Sequence, residues 1–206
     1  MCRTVFLSLI ALGLALGAGA TTVSVGVAAP AGSSAVTFGS SLAATSPGVW
    51  TATAGAGTAD TSVTALYLDP LSDSSYFAYT EGASSITASY AGGITSFDLL
   101  WGSPDAFNTI TFSGPGGTES YSPGSGLLAG LIPNNSNAGT MAVLFTATPG
   151  TDWTSVMFTS SLNSFEFGEV SFVAAATSSS PSPEPASIAL LAGGFLAIGA
   201  LRKRKS

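Results

Sequence analysis

Ser85-Ile86-Thr87-Ala88-Ser89-Tyr90-Ala91-Gly92-Gly93-Ile94-Thr95-Ser96-Phe97-Asp98-Leu99-Leu100-Trp101 is the stretch whose reading decides the fold. Ile86, Ala88 and Tyr90 alternate with Ser and Thr. Phe97, Leu99 and Trp101 alternate with Ser96, Asp98 and Leu100. A period of two puts each apolar set on one face of an extended chain; a helix would need a period near 3.6. Between the two runs, Ala91-Gly92-Gly93 reads as a turn. The stretch therefore predicts two strands, each with one face in a core.

The same pattern recurs outward in both directions. Strands are expected over Ala35–Ser40, Val49–Ala54, Ser62–Leu68 and Ser75–Tyr79 on the N-terminal side. Thr109–Phe112, Thr118–Tyr121, Met141–Thr146, Trp153–Thr159 and Ser164–Val173 are expected on the other. Turn residues stand between them: Gly55, Gly57 and Asp60; Asp69-Pro70 and Asp73; Gly114-Pro115-Gly116-Gly117; and Pro133 to Gly139. Thr21–Ser34 suits a leading strand or a loose arm, and Leu127–Leu131 a helical turn or a strand. In the last segment Phe165 and Phe167 share one parity, while Val170 and Phe172 share the other. Period two cannot run unbroken through Gly168-Glu169, so a β-bulge is expected there. Short strands with turn residues between them, and no amphipathic helix of useful length, predict an all-β sandwich. A jelly-roll-like arrangement is the first expectation and an immunoglobulin-like sandwich the second.

Charge is distributed in an unusual way. Charged residues make up only 8% of the chain, against ~25% in ordinary soluble domains. The only cations are Arg3, Arg202, Lys203, Arg204 and Lys205, and there is no His. Acids alone occupy the interval between Arg3 and Arg202. Nucleic-acid binding needs cationic phosphate contacts and is excluded. A Ser or Thr nucleophile would lack its usual base. The remaining catalytic option is a carboxylate pair acting on a glycosidic bond. Asp98, Asp105, Glu119, Glu166 and Glu169 are the acids to weigh. Solvated strand and turn positions are the stronger expectation for them, with Glu166 on a solvent face, and no enzymatic activity is expected. Calcium would suit such hard oxygen donors. Its candidates are Asp69, Asp73 and Glu81, or Glu166 with Glu169, though no known calcium-loop spacing is present. Trp50, Trp101 and Trp153 are candidates for a sugar-stacking platform, or else core residues.

The two ends carry different signals. Arg3 precedes an apolar run from Val5 to Gly17, and Ala18-Gly19-Ala20 supplies small residues for signal peptidase. Cleavage before Thr21 is expected, with a second possible cut after Ala29. Cys2 is the only cysteine and would leave with the signal, so no disulfide framework is expected. At the other end, Thr177 to Ser182 is a Ser/Pro linker, followed by Pro183-Glu184-Pro185. Ala186 to Leu201 is then apolar, about 24 Å long as a helix at ~1.5 Å per residue. That is just short of the ~17–25 residues that span a bilayer. Carrying each of Arg202, Lys203, Arg204 and Lys205 across would cost roughly 3 kcal/mol, so this end is expected to stay cytoplasmic.

This ordered set of Pro-Glu-Pro, short apolar helix and basic cluster resembles the PEP-CTERM sorting signal of bacterial surface proteins. The resemblance implies recognition by an exosortase, a membrane transpeptidase, and transient anchoring before processing. Two stretches of the body carry a second resemblance. Phe97-Asp98-Leu99-Leu100-Trp101-Gly102-Ser103-Pro104-Asp105-Ala106-Phe107-Asn108-Thr109-Ile110 and Phe158-Thr159-Ser160-Ser161-Leu162-Asn163-Ser164-Phe165-Glu166-Phe167 are similar to segments of a group of exosortase-dependent surface proteins. Gly168-Glu169 stands where that group often continues with Asp-Asn. The resemblance implies a β-sandwich surface domain without catalysis. The expected organisation is then a signal helix over 1–20, a sandwich over 21–176, a linker over 177–182 and a sorting signal with its transmembrane helix over 183–206. The expected role is that of an exported, non-enzymatic surface or matrix protein; the alternative is a secreted carbohydrate-binding module of an extracellular polysaccharide matrix.

Overall fold

The computed structural model describes residues 21–60, 69–71, 75–132, 139–162 and 164–176. The expected signal helix, sorting signal and strand over Ser62–Leu68 lie outside them. Among the described residues there are eleven strands, no α-helix, and no helix long and apolar enough to cross a membrane. Every strand pairing is antiparallel. The described residues are all-β, as the alternating pattern predicts.

The strands are β1 (Thr22–Val25), β2 (Ser34–Ala35), β3 (Val49–Ala52), β4 (Ala56–Ala59), β5 (Phe77–Thr80) and β6 (Ser85–Gly102). They continue as β7 (Asn108–Gly114), β8 (Gly117–Tyr121), β9 (Met141–Thr146), β10 (Trp153–Ser160) and β11 (Phe165–Ala174). The opening stretch holds the arrangement together. It is one strand of 18 residues, not two strands joined by a turn. Its first part, Ser85–Ser89, lies between β3 and β10. Its second part, from Ile94 on, lies between β9 and β11. The turn expected at Ala91-Gly92-Gly93 is not formed; the chain stays extended there, and this is the place where β6 changes partners. Against β10 the register moves from Ser89↔Ser155 to Ile94↔Trp153 across it, and Gly93 takes φ +77°. A Gly suits that position because a Cβ would strain a positive φ.

Two halves of a sandwich follow from this shared strand. One half runs β3, first part of β6, β10, β7, β8. The other runs β1, β9, second part of β6, β11, β5, β4, with β2 against the far end of β11. Their aromatic faces meet. Phe158 of the first half stacks on Phe167 of the second at 3.9 Å, and Phe112 packs on Phe145 at 4.9 Å. Tyr90 lies 4.5 Å from Phe172, and Phe97 reaches both Phe112 and Phe158 at 5.9 Å. Each ring so buried stabilises by roughly 1.5–3 kcal/mol through transfer alone.

The bulge expected at Gly168-Glu169 is found. The β11–β6 register shifts between Gly168↔Leu100 and Ser171↔Asp98, and Glu169 has φ +46°. The extra residue lets Phe165 and Phe167 face the core before it, and Val170 and Phe172 after it. Elsewhere one expectation is corrected. Ala56–Ala59, within the expected Gly55–Asp60 turn, is a short edge strand paired with β5. Leu127–Leu131, expected as a helical turn or a strand, begins in a single 3-10 turn, Gly126–Leu128. The Gly114-Pro115-Gly116-Gly117 turn joins β7 to β8 as expected, with Gly114 opposite Gly117.

Candidate functional site

The three tryptophans do not form a surface platform. Trp50, Trp101 and Trp153 are all buried, with Trp101 fully so. Trp101 stacks on Phe165 at 4.6 Å and Trp153 on Phe112 at 4.1 Å. Trp50 lies against Phe38 and Phe158 and donates its indole N–H to the Pro47 carbonyl at 3.0 Å. Their parity explains this: each stands on the inward face of its strand, so core packing claims the ring that a sugar would need.

The acids are also placed differently from expectation. Glu166 is buried, not on a solvent face, and the Ser164 hydroxyl donates to it. Asp98 is buried on the outward side of β6, opposite Ser171. Among the described residues its Oδ1 forms no hydrogen bond, nor do the Ser96 and Ser171 hydroxyls beside it. Desolvation, and then the negative charge of Glu169, raise the Asp98 pKa to about 6. Burial likewise pushes the Asp105 carboxyl above its ordinary value. Glu119 accepts a short hydrogen bond from the Tyr121 hydroxyl. Among the calcium candidates, Asp69 accepts the Leu71 N–H at 2.8 Å and closes its own turn. Asp73 lies outside the described residues. Among the described residues no three acidic, His or Cys side chains gather as metal ligands.

What the structure does build is a face of hydroxyls. On the outward side of the first half, side chains align in three rows across five strands. One row runs Val49, Ser89, Ser155, Ser113, Thr118. The next runs Thr51, Thr87, Met157, Thr111, Ser120. The last runs Thr53, Ser85, Thr159, Thr109, Ser122. All but Val49 and Met157 are Ser or Thr, none is charged, and every one is exposed or half-exposed. Strand spacing sets the grid at about 4.8 Å across the strands and about 6.8 Å along them. Several hydroxyls are held in place by their neighbours. Thr109 bonds Ser122 at 2.8 Å, Thr111 bonds Ser120 at 2.9 Å, and Ser113 bonds Thr118 at 3.1 Å. The grid contains no base, so what it offers a ligand is hydrogen bonding and methyl contact.

At the end of the last row the surface becomes concave. An open hollow of about 490 Å³ is lined there by Ser85, Thr109, Met157 and Thr159 of the grid, with Phe107 and Ser161 from the loops beside it. Phe107 is half-buried. Its position is fixed from two sides. Its carbonyl accepts the Ser161 N–H at 3.1 Å. The next residue, Asn108, is fully buried, donates to the Ser103 carbonyl at 3.4 Å and accepts from the Ser160 hydroxyl at 3.0 Å. The same hydroxyl lies 2.6 Å from the Leu162 carbonyl, so its one proton is shared between the two acceptors. The two stretches that carry the second resemblance are thus neighbours in space. Ile110, Thr109 and Asn108 pair with Phe158, Thr159 and Ser160, and Trp101 pairs with Phe167. Sequence reasoning quoted Phe107 without singling it out. Its signal was an aromatic in a loop, off the period-two pattern and so not claimed by the core.

The chain matches no family model and no curated protein.

Proposed function

We propose that this chain is an exported, non-enzymatic surface or extracellular-matrix protein. Signal peptidase would release its N-terminus near Thr21. The apolar run 186–201 would hold it briefly in the membrane, and an exosortase would process it at Pro183-Glu184-Pro185. The observation that carries this reading is polarity. Every cation lies in the first three residues or in Arg202–Lys205, each beside an apolar run, and the interval between holds acids only. Such a chain is drawn outward while its last cations stay inside. The Pro-Glu-Pro triplet favours an extended backbone, because proline fixes φ and restrains the residue before it. It would present a helix-free peptide to an enzyme at the membrane surface. The all-β body, with its low charge and polar outer faces, suits a passive surface domain. Within that class we read the topology as jelly-roll-like, since β6 and β11 each lie between non-sequential antiparallel partners.

Intact-mass measurement on the protein recovered from the cell surface tests the reading. The expected mass begins at Thr21 and ends near Pro185, with or without an attached group. A surface protein still ending in Ser206 overturns exosortase processing, and one confined to the cytosol overturns export.

A further inference from the structure

We infer that the hydroxyl face and the hollow at its end form a binding site for a neutral polysaccharide, with Phe107 as the stacking aromatic. Charge decides the ligand class first. No cation stands between Arg3 and Arg202, so an acidic polymer finds no counter-charge on this domain. The grid carries no acid either, so a cationic polymer is not favoured there. An uncharged, hydroxyl-rich chain matches it group for group, each Ser or Thr serving as donor and acceptor. Geometry then sets the mode of binding. The grid repeats at about 4.8 Å across the strands, a step on the scale of one extended sugar unit. A polymer lying along Ser85, Thr159, Thr109 and Ser122 would meet a hydroxyl at each step. The hollow, at about 490 Å³, falls within the ~300–1,000 Å³ of small-ligand sites. It would seat one sugar on the Phe107 ring, with Thr109 and Thr159 at its rim.

Preorganisation supports the same site. Cross-strand bonds such as Thr109–Ser122 already fix hydroxyl rotamers, so less side-chain entropy is lost on binding. The Asn108–Ser160 bond beneath Phe107 holds the loop that carries the ring. Binding requires no sorting event, so this inference and the export reading can fail separately.

The experiment is retention of the purified full-length chain, in detergent, on microcrystalline cellulose, insoluble β-1,3-glucan and agarose. The variants are Phe107→Ala, the double variant Thr109→Val with Thr159→Val, and, as an exposed control after β1 in the other half, Val27→Ser. Retention of the parent on at least one matrix is expected, unchanged by 0.5 M NaCl because no ion pair is involved (roughly a 4 Å screening length). Each face variant should weaken it about tenfold, the equivalent of 1.4 kcal/mol, with the melting temperature within about 3 °C of the parent. Val27→Ser should bind as the parent does. Failure of the parent to bind all three matrices overturns the inference. So does binding that both face variants leave intact. Self-association of the parent that the same variants abolish would assign the face to a second copy of this chain, and overturns it too.

Discussion

At the scale of single residues, Asp98 is the group most at odds with its surroundings. It is 8% exposed, its Oδ1 has no hydrogen-bond partner among the described residues, and Glu169 adds a like charge nearby. A carboxyl whose pKa is raised by folding favours the folded state fully only below its unfolded pKa. That contribution is lost as pH rises from about 4 through about 6. Asp98→Asn keeps the shape and removes the charge. The variant should match the parent near pH 4 and exceed it at pH 7, by on the order of 1–2 kcal/mol once solvent screening is allowed for. Paired thermal melts across that range check the sign; a difference that shrinks with rising pH would contradict it. Gly114 makes a second residue-scale prediction. A Cβ there would stand 2.1 Å from the Asp152 carbonyl oxygen, which is backbone and cannot swing aside. Gly114→Ala should cost about 2–4 kcal/mol, measurable as a lowered denaturant midpoint.

At the scale of elements, the bulge in β11 shows how much of the fold was legible in the chain. The change of parity between Phe167 and Val170 required an extra residue, and Glu169 is that residue. Where a side chain's face followed from period two, as for Phe97, Phe158 or Phe165, the reading and the structure agree. It failed where a second surface covers the outward face. Glu166 and Asp98 alternate with apolar residues and so read as solvated. Yet Leu71 lies against the outer side of Gly168, and Pro70 against that of Gly102. Pro30, in the connection from β1 to β2, lies beside Ser96 and Val173. Period two reports which residues share a face, not what lies over it. For the tryptophans two readings stood open, ligand contact or core, and the core reading is the one that holds, because parity puts all three inside. The hydroxyl grid was invisible for a further reason. Ser and Thr on one strand read as ordinary solvent positions, and only the register of five strands turns them into rows. Glu169→Gly tests the bulge itself. A positive φ costs a non-glycine residue roughly 1 kcal/mol, so this variant should be more stable by about that amount. Deleting Glu169 instead would turn Val170 and Phe172 outward, and should unfold the domain at ordinary temperature. Circular dichroism on both variants distinguishes the two outcomes.

At the scale of the whole molecule, the most consequential feature is that β6 belongs to both halves of the sandwich. Neither half owns a separate central strand, so neither can come apart while the other keeps its neighbours. Amide protons of Ile86 and Leu99, though assigned to different halves, should therefore exchange with solvent at rates reporting one common opening event. A calorimetric trace should contain a single peak whose van't Hoff and measured enthalpies agree. Such indivisibility has a practical meaning wherever proteases are present: one nibbling at an edge finds no loosened half to work on, and must wait for the entire body to open.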